Sequence, residues 1–241
     1  MNTNEYKGTL IKAFCNNGLD GILDENKAEK LKAFSDFLVD TNKKFNLTSI
    51  TDEKEIILKH FIDCAAVLCY IPCGSTIIDV GCGAGFPSLP IAILREDVTV
   101  TALDSTAKKT SFINAVVQEL FLNNITAVTS RAEDFSRLHR ESFDISISRA
   151  VARMNILDEL CLPLTKPGGY FIAMKSSRGE EEYREAQKGI NLLGGVLHHN
   201  QKSTLSFEGE AIERELYVIK KQSATPPQYP RSYSQISKKP L

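Results

Sequence analysis

Residues Ile77 to Ala92 read IIDVGCGAGFPSLPIA. An apolar, β-branched run ends in an acid, three glycines follow at alternate positions, and a proline-bounded apolar stretch closes the segment. β-Branched residues favour strands, and closely spaced glycines let a backbone turn sharply and approach a ligand. The pattern is strand, tight loop, helix. Gly81, Gly83 and Gly85 are spaced GxGxG, not the GxGxxG of dinucleotide sites. Asp79 stands beside the loop, where a carboxylate would repel a phosphate. A guest that carries positive charge and no phosphate meets no such objection. A strand-to-helix turn without any ligand accounts for the glycines as well, and Asp79 equally suits capping of the loop's backbone amides.

Working outward, short apolar runs alternate with helical patterns on the C-terminal side of Pro72. Strands are expected at Thr76–Val80, Val98–Leu103, Ile125–Thr129, Phe143–Ser148, Gly169–Met174 and Leu216–Lys220, with a further one near Val196–Asn200. Helices are expected at Ser88–Arg95, Ala107–Leu122, Ile156–Leu164 and Glu180–Leu193. Regular alternation of this kind predicts an α/β fold: a mostly parallel, seven-stranded, Rossmann-like sheet with helices on both faces. The last strand follows its predecessor across only a loop, which predicts an antiparallel edge. Before Pro72, Leu31, Phe34, Phe37 and Leu38 recur at helical spacing, and a second helix is expected at Asp52–Tyr70, capped by Asp52 or Thr51. The organisation expected is a helical extension over 1–70, an α/β domain over 71–222 and a basic tail over 223–241.

Such sheets bind ligands at the carboxyl ends of their strands, near the reversal of strand order. Three of those ends carry acids: Asp79, Asp104 in TALDS, and Glu133 in SRAED. An acid at the end of the second strand is placed to accept hydrogen bonds from ribose hydroxyls. S-adenosylmethionine fits the layout, having a cationic amino group and sulfonium, two ribose hydroxyls and no phosphate. Each acid also has a plain alternative. Asp104 suits capping of the next helix, and Glu133 suits a solvated surface. Phe86 suits packing on the ligand or packing in the core.

NLTSI (Asn46–Ile50), KHFIDC (Lys59–Cys64), DVGCGAGFPSLPIA, TALDSTAKK, SRAEDF, ISRAVA and CLPLTKPGGYFIAMK together resemble the ribosomal RNA small subunit methyltransferase G family, also called glucose-inhibited division protein B. The resemblance runs from about residue 40 to the C-terminus. It implies a cytoplasmic enzyme that uses S-adenosylmethionine to methylate N7 of guanine 527 in the 530 loop of 16S rRNA, taken as free rRNA or in the 30S particle. It also implies cofactor contacts from Gly81 and Phe86, from Ala132 and Glu133, and from Arg149, with Asp104 as the ribose-binding acid. Asp79 and Gly83 join that set from the strand-tip reading. The chain departs from the family in having Cys82 where serine or alanine is common, in lacking a glycine after Lys175, and in the middle of YPRSYSQISKKPL, which lacks a proline-glycine stretch.

Guanine N7 holds an exposed lone pair, so no proton need be removed and no catalytic base is expected. Arg149, at the end of the fourth strand, is expected to orient the cofactor carboxylate or the guanine; a buried ion pair is the alternative. Lys175, at the end of the fifth strand, is expected to meet an RNA phosphate, or else to lie along the surface. Arg231, Lys238 and Lys239, with Tyr229 and Tyr233, are expected to contact RNA, unless the terminus is simply solvated. His60 and Asp63, three apart on one helical face, suit a hydrogen-bonded pair bracing the extension more than catalysis. Cys82 suits a small filler of the loop.

The bulk numbers bound these readings. The net charge of −1 tells against a strongly basic nucleic-acid binder, although residues 220–241 carry five basic and no acidic side chains. The six cysteines form no CxxC pair and lack clustered histidines, so no metal site is expected. No apolar run approaches membrane-spanning length and the N-terminus lacks a signal-peptide pattern, so a cytoplasmic protein without membrane contact is expected, as a monomer. A small-molecule methyltransferase and a non-catalytic RNA-binding or ribosome-assembly factor are the alternatives.

Overall fold

The structure, a computed structural model, describes residues 2–149 and 151–241. Its centre is a seven-stranded sheet of order β3-β2-β1-β4-β5-β7-β6. The strands are β1 (Thr76–Val80), β2 (Thr99–Asp104), β3 (Ile125–Thr129), β4 (Phe143–Arg149), β5 (Thr165–Lys175), β6 (Gly195–Phe207) and β7 (Glu210–Lys221). The first five pair in parallel, and β7 runs antiparallel to both β5 and β6. The expected α/β architecture and the expected antiparallel edge are both present. Strand order reverses between β1 and β4, which opens a crevice at their C-terminal ends.

The helices are α1 (Thr3–Asn16), α2 (Glu25–Asn42), α3 (Glu53–Ile56), α4 (Asp63–Ala65), α5 (Ser88–Leu94), α6 (Ala107–Glu119), α7 (Ala132–Leu138), α8 (Met154–Cys161), α9 (Gly179–Leu192) and α10 (Tyr233–Lys238). The single helix expected over 52–70 is interrupted. Asp52 caps α3 by accepting from the amides of Lys54 and Glu55 at 2.9 and 3.1 Å. A π-helical turn, Ile57–Ile62, then joins α3 to α4, and a 3-10 turn covers Leu68–Tyr70. π-Turns are rare and concentrate at functional sites. Here the Lys59 carbonyl accepts from Arg149 at 3.0 Å, across from the sheet.

Side-chain alternation along the strands divides the interior in two. Ile77, Val100, Ile145 and Ile172 face α1, α2, α5, α6 and the π-turn, whereas Ile78, Leu103, Phe171 and Ile219 face α8, α9 and α10. Phe34 of α2 joins the helical extension to the sheet layer. It is fully buried, and its ring lies 5.9 Å from Phe61, 5.1 Å from Phe86 and 6.5 Å from Phe112, which links α2 to the π-turn, the glycine loop and α6. A phenylalanine lost from such a place typically costs about 3–5 kcal/mol. The C-terminal segment also joins the interior. Ile236 of α10 is fully buried, and Arg140 donates to the carbonyls of Thr225, Pro226 and Tyr229. A merely solvated terminus is thereby excluded.

Candidate cofactor and substrate groove

The glycine loop is built over the end of β2. The amides of Gly81 and Cys82 both donate to the Leu103 carbonyl, at 2.8 and 3.0 Å. Gly81 has φ +78°, and a Cβ there would stand 2.6 Å from a Val151 methyl, so the close approach of the chain after β4 requires glycine. Gly83 has φ +57° and sends its amide to Asp104 Oδ2 at 3.1 Å. Gly81, Cys82, Gly83, Ala84 and Phe86 form one wall of a cavity of about 330 Å³. Phe86 packs in the core, its ring on Phe34, and it also borders the cavity. Cys82 is buried, and burial pushes its thiol far above the usual range, so it fills the loop rather than reacting.

Asp104 ends β2 between this cavity and a neighbouring one of about 180 Å³. Its Oδ1 accepts from Thr106 N at 2.9 Å, which fixes the turn into α6, but no side chain among the described residues caps that helix: its N-cap is Thr106, not Asp104. Its Oδ2 accepts from Gly83 N and lies 3.3 Å from Lys109 Nζ. Lys109 is 39% exposed, and a hydroxyl group can displace it from the carboxylate. Ala132 and Glu133 open α7, a helix that the sequence reading left out, and both line the smaller cavity. Glu133 is only 8% exposed, so it is not a solvated surface acid. Tyr233 of α10 closes the same cavity.

Asp79 does not stand where the strand-tip reading put it. Alternation gives it the face of Ile77, beneath α5, where it is fully buried and lines none of the cavities described here. Its Oδ2 accepts from Ser88 N at 3.1 Å, and its Oδ1 has no hydrogen-bond partner among the described residues. Burial lifts its pKa to about 7, against the opposing hydrogen bonds from Ser88. Asp79 therefore supports the loop from below, and the acids beside the groove are Asp104 and Glu133.

Arg149 ends β4 in a buried cluster. One guanidinium nitrogen, Nη1, donates to Asp63 Oδ2 and to the Lys59 carbonyl, each at 3.0 Å; Nη2 lies 3.0 Å from His60 Nδ1. Asp63 also accepts from Arg214 Nε at 3.0 Å. His60 and Asp63 brace the extension as expected, but through Arg149, with no direct bond between them. His60 Nδ1 lies between Arg149 Nη2 at 3.0 Å and the Lys59 carbonyl at 3.1 Å, and Nε2 lies 3.5 Å from Thr48 Oγ1. Burial, and then the Arg149 charge, lower the His60 pKa to about 3. The neutral ring stacks on Phe86 at 4.1 Å, and Arg149 lies 5.2 Å from the same ring. The ion-pair alternative thus describes the observed geometry of Arg149, although the residue still borders the 330 Å³ cavity and a larger one of about 510 Å³.

The larger cavity extends the groove past β4 to β5. Its lining includes Lys59, Arg149, Arg153, Lys175, Arg178 and Arg214 against the acids Asp63 and Glu182. Lys175 does not lie along the surface. It is 8% exposed, and its ammonium donates to the Ala152 carbonyl at 2.7 Å and pairs with Glu182 at 2.8 Å. Arg231 also differs from expectation. Its backbone amide, Nε and Nη2 all engage the fully buried carboxylate of Glu159, at 2.6–3.1 Å. It anchors the tail instead of presenting charge to RNA. Lys238 and Lys239 do remain exposed. The sequence reading missed Lys109, Val151, Arg153, Arg178 and Arg214. Lys109 could have been found from its place in TALDSTAKK, in the first turn of the helix that follows Asp104.

The chain is similar to known proteins in sequence and in fold. The sequence profile of the family described as GidB, rRNA small subunit methyltransferase G, matches residues 27–212. A protein of Desulforamulus reducens named ribosomal RNA small subunit methyltransferase G is 45% identical, over 91% of this chain and 92% of its own length. A Staphylococcus carnosus protein of the same name is 44% identical, over 92% and 94%. Among solved structures, precorrin-6y C5,15-methyltransferase from Geobacter metallireducens superposes with a TM-score of 0.52 at 13% identity, covering 76% of this chain and 96% of that one. The YcgJ protein of Bacillus subtilis gives 0.52 at 14% identity, over 68% and 100%. At such identities the structures speak to fold alone.

Proposed function

This chain belongs to the rRNA small subunit methyltransferase G family, and from that membership we propose that it transfers a methyl group from S-adenosylmethionine to 16S rRNA, at N7 of guanine 527 in the 530 loop. The groove suits the cofactor. A carboxylate, Asp104, stands at the β2 tip within reach of loop amides, and a second acid, Glu133, lines the adjoining cavity. Backbone from Gly81 to Ala84 lines the middle without side-chain bulk. Such a set suits a cationic nucleoside without phosphate. When bound, S-adenosylmethionine supplies a methyl group made electrophilic by its sulfonium.

The residues of this chain have distinct tasks in that reading. Asp104 accepts from the ribose hydroxyls, with Lys109 moving aside. Ala132 and Glu133 hold the nucleoside end, and the loop backbone with Phe86 borders the amino-acid end. Arg149, fixed by Asp63 and His60, holds Phe86 and forms the boundary between cofactor and substrate cavities. Guanine N7 carries its own lone pair, so the site need only align reactants and exclude water. His60 fits this: burial and the Arg149 charge lower its pKa to about 3, which makes it a poor base. The reaction then depends on alignment, which in favourable intramolecular models supplies ~7–11 kcal/mol.

The observation that carries an RNA substrate is the 510 Å³ cavity, whose wall has six basic side chains; five are paired with acids, and Arg178 has no acid partner among the described residues. Arg178, exposed on that wall, together with Lys238 and Lys239, is placed for phosphate contact. A cytoplasmic location goes with this reading, since no helix among the described residues is long and apolar enough to cross a membrane and the substrate is ribosomal. The test incubates labelled S-adenosylmethionine with unmethylated 16S rRNA and with 30S particles, then maps N7-methylguanine by chemical cleavage. Label at guanine 527 is expected. Label confined to small molecules, or cofactor bound without transfer to either RNA, would overturn the proposal in favour of a small-molecule enzyme or an assembly factor.

A further inference from the structure

We propose that Tyr233 is the outer wall of the cofactor's adenine subsite, clamped there by anchors on both sides of it in the C-terminal segment. The inference rests on the reading of the groove as an S-adenosylmethionine site. α10 is six residues long, too short to be stable by itself, so its place must come from tertiary contacts. Two such contacts flank Tyr233. Two residues earlier, Arg231 clasps Glu159 of α8, a carboxylate with no solvent exposure. Three residues later, Ile236 is fully buried in the layer formed with α8. A capping box between Ser232 and Gln235 fixes the first turn between them.

The residue held in this way is a 40% exposed aromatic. It borders the 180 Å³ cavity whose other members include Asp104, Ala132 and Glu133. The Arg131 guanidinium, at the start of α7, lies 5.8 Å from the tyrosine ring and keeps it alongside the cavity. An aromatic face beside the acid that would accept ribose hydroxyls offers a stacking surface to the purine attached to that ribose. Isolated ion pairs between a buried carboxylate and a partly exposed arginine add little net stability against apolar replacements. The Arg231–Glu159 clasp is explained by what it positions.

The test measures calorimetric affinity of the full chain for S-adenosylhomocysteine and for 5′-methylthioadenosine, which keeps the nucleoside and lacks the amino-acid end. Tyr233→Ala is expected to weaken both by a similar factor, roughly tenfold, within the range of base–aromatic stacking. Tyr233→Phe, which keeps the ring, is expected to stay within about twofold of wild type. Melting temperature controls for folding; should the alanine variant unfold, Tyr233→Leu, which keeps bulk without a π-face, makes the same comparison. Wild-type affinity in the folded alanine or leucine variant would overturn the wall while leaving the cofactor reading intact. Failure of the wild-type chain to bind either nucleoside would overturn the cofactor reading and the wall together.

Discussion

Arg149 and Asp63, 86 residues apart in sequence, meet at 3.0 Å between the end of β4 and the π-turn region. Asp63 holds Arg214 at the same distance, so one buried carboxylate neutralises two guanidinium groups. Removing one partner of a buried pair leaves charge without compensation and costs about 3–5 kcal/mol. Asp63→Ala should therefore lose stability on that scale in denaturant titration. Arg149→Lys should lose most of the activity while remaining folded, because an ammonium cannot reproduce the fork that holds Asp63, the Lys59 carbonyl and His60 together. Full activity in a folded Arg149→Lys enzyme would remove Arg149 from the alignment of the site.

His60 gives a pH dependence of defined sign. Its pKa falls from 6.5 unfolded to about 3 folded, through burial and the Arg149 charge. Between those values the unfolded chain binds a proton that the folded chain does not, so stability rises with pH there. The contribution is complete above pH 6.5 and is lost as pH falls toward 3. His60→Asn keeps an acceptor for Arg149 and cannot titrate. The stability of wild type relative to this variant should increase from pH 3 to 6.5, with a slope approaching ~1.4 kcal/mol per unit. A flat difference across that window would mean that the folded ring protonates.

Asp79 should show the opposite slope. Its folded pKa is raised to about 7 from 3.8 by burial beneath α5. The folded chain then holds a proton that the unfolded chain has released, and the contribution present below pH 3.8 is lost as pH rises through 7. Asp79→Asn retains an oxygen for Ser88 N. It should gain on wild type as pH rises from about 4 to 7, in the same titration series, and bind S-adenosylhomocysteine with little change. A large loss of affinity in a stable Asp79→Asn would return this residue to the cofactor contacts.

How far the sequence reached follows from what each residue depends on. β1 and β3 matched their expected bounds because β-branched runs flanked by turn residues are local signals, and Asp52 was found as a cap for the same reason. β6 and β7 outran their expected limits because the run HNQKST is polar and mostly exposed and hides the strand, while beyond it Leu205, Phe207 and Ile212 pack with the layer of the helical extension, a contact that no local pattern reports. α1 was legible but not located: Tyr6, Leu10, Ala13 and Phe14 follow helical spacing and are all buried. The placement of Asp79 failed on a matter of face, since alternation puts it with Ile77 rather than in the crevice. Arg149, Lys175 and Arg231 were singled out as charges free to meet a ligand. Their partners Asp63, Glu182 and Glu159 lie in distant segments, and no local pattern reports such pairings.

Asp104 carries the most direct binding prediction. Its carboxylate is 6% exposed and accepts from the amides of Gly83 and Thr106, which fix its position beside the groove. Hydrogen bonds to a charged group contribute about 1.5–3 kcal/mol. Asp104→Ala should weaken S-adenosylhomocysteine roughly ten- to a hundredfold by calorimetry, with a smaller effect on RNA affinity. Unaltered nucleoside affinity in that variant would sever the acid from the ribose.

The C-terminal segment separates anchoring from RNA contact. Arg231 neutralises a carboxylate with no exposure, so Arg231→Ala strands Glu159 and should cost about 3–5 kcal/mol of stability. Deleting residues 229–241 should be worse, since it also uncovers the space filled by Ile236 and removes the Tyr229 carbonyl from Arg140. Neither change can therefore test RNA binding cleanly. Lys238 and Lys239 can, because both are exposed and neither pairs with an acid among the described residues. Lys238→Ala with Lys239→Ala should leave the melting temperature and nucleoside affinity unchanged and weaken binding to 16S rRNA. Two lost phosphate contacts would shallow the slope of log affinity against log salt by roughly 1.4 on single-stranded RNA. An unchanged salt slope in the double variant would assign RNA recognition wholly to the basic cavity around Arg178 and Arg214.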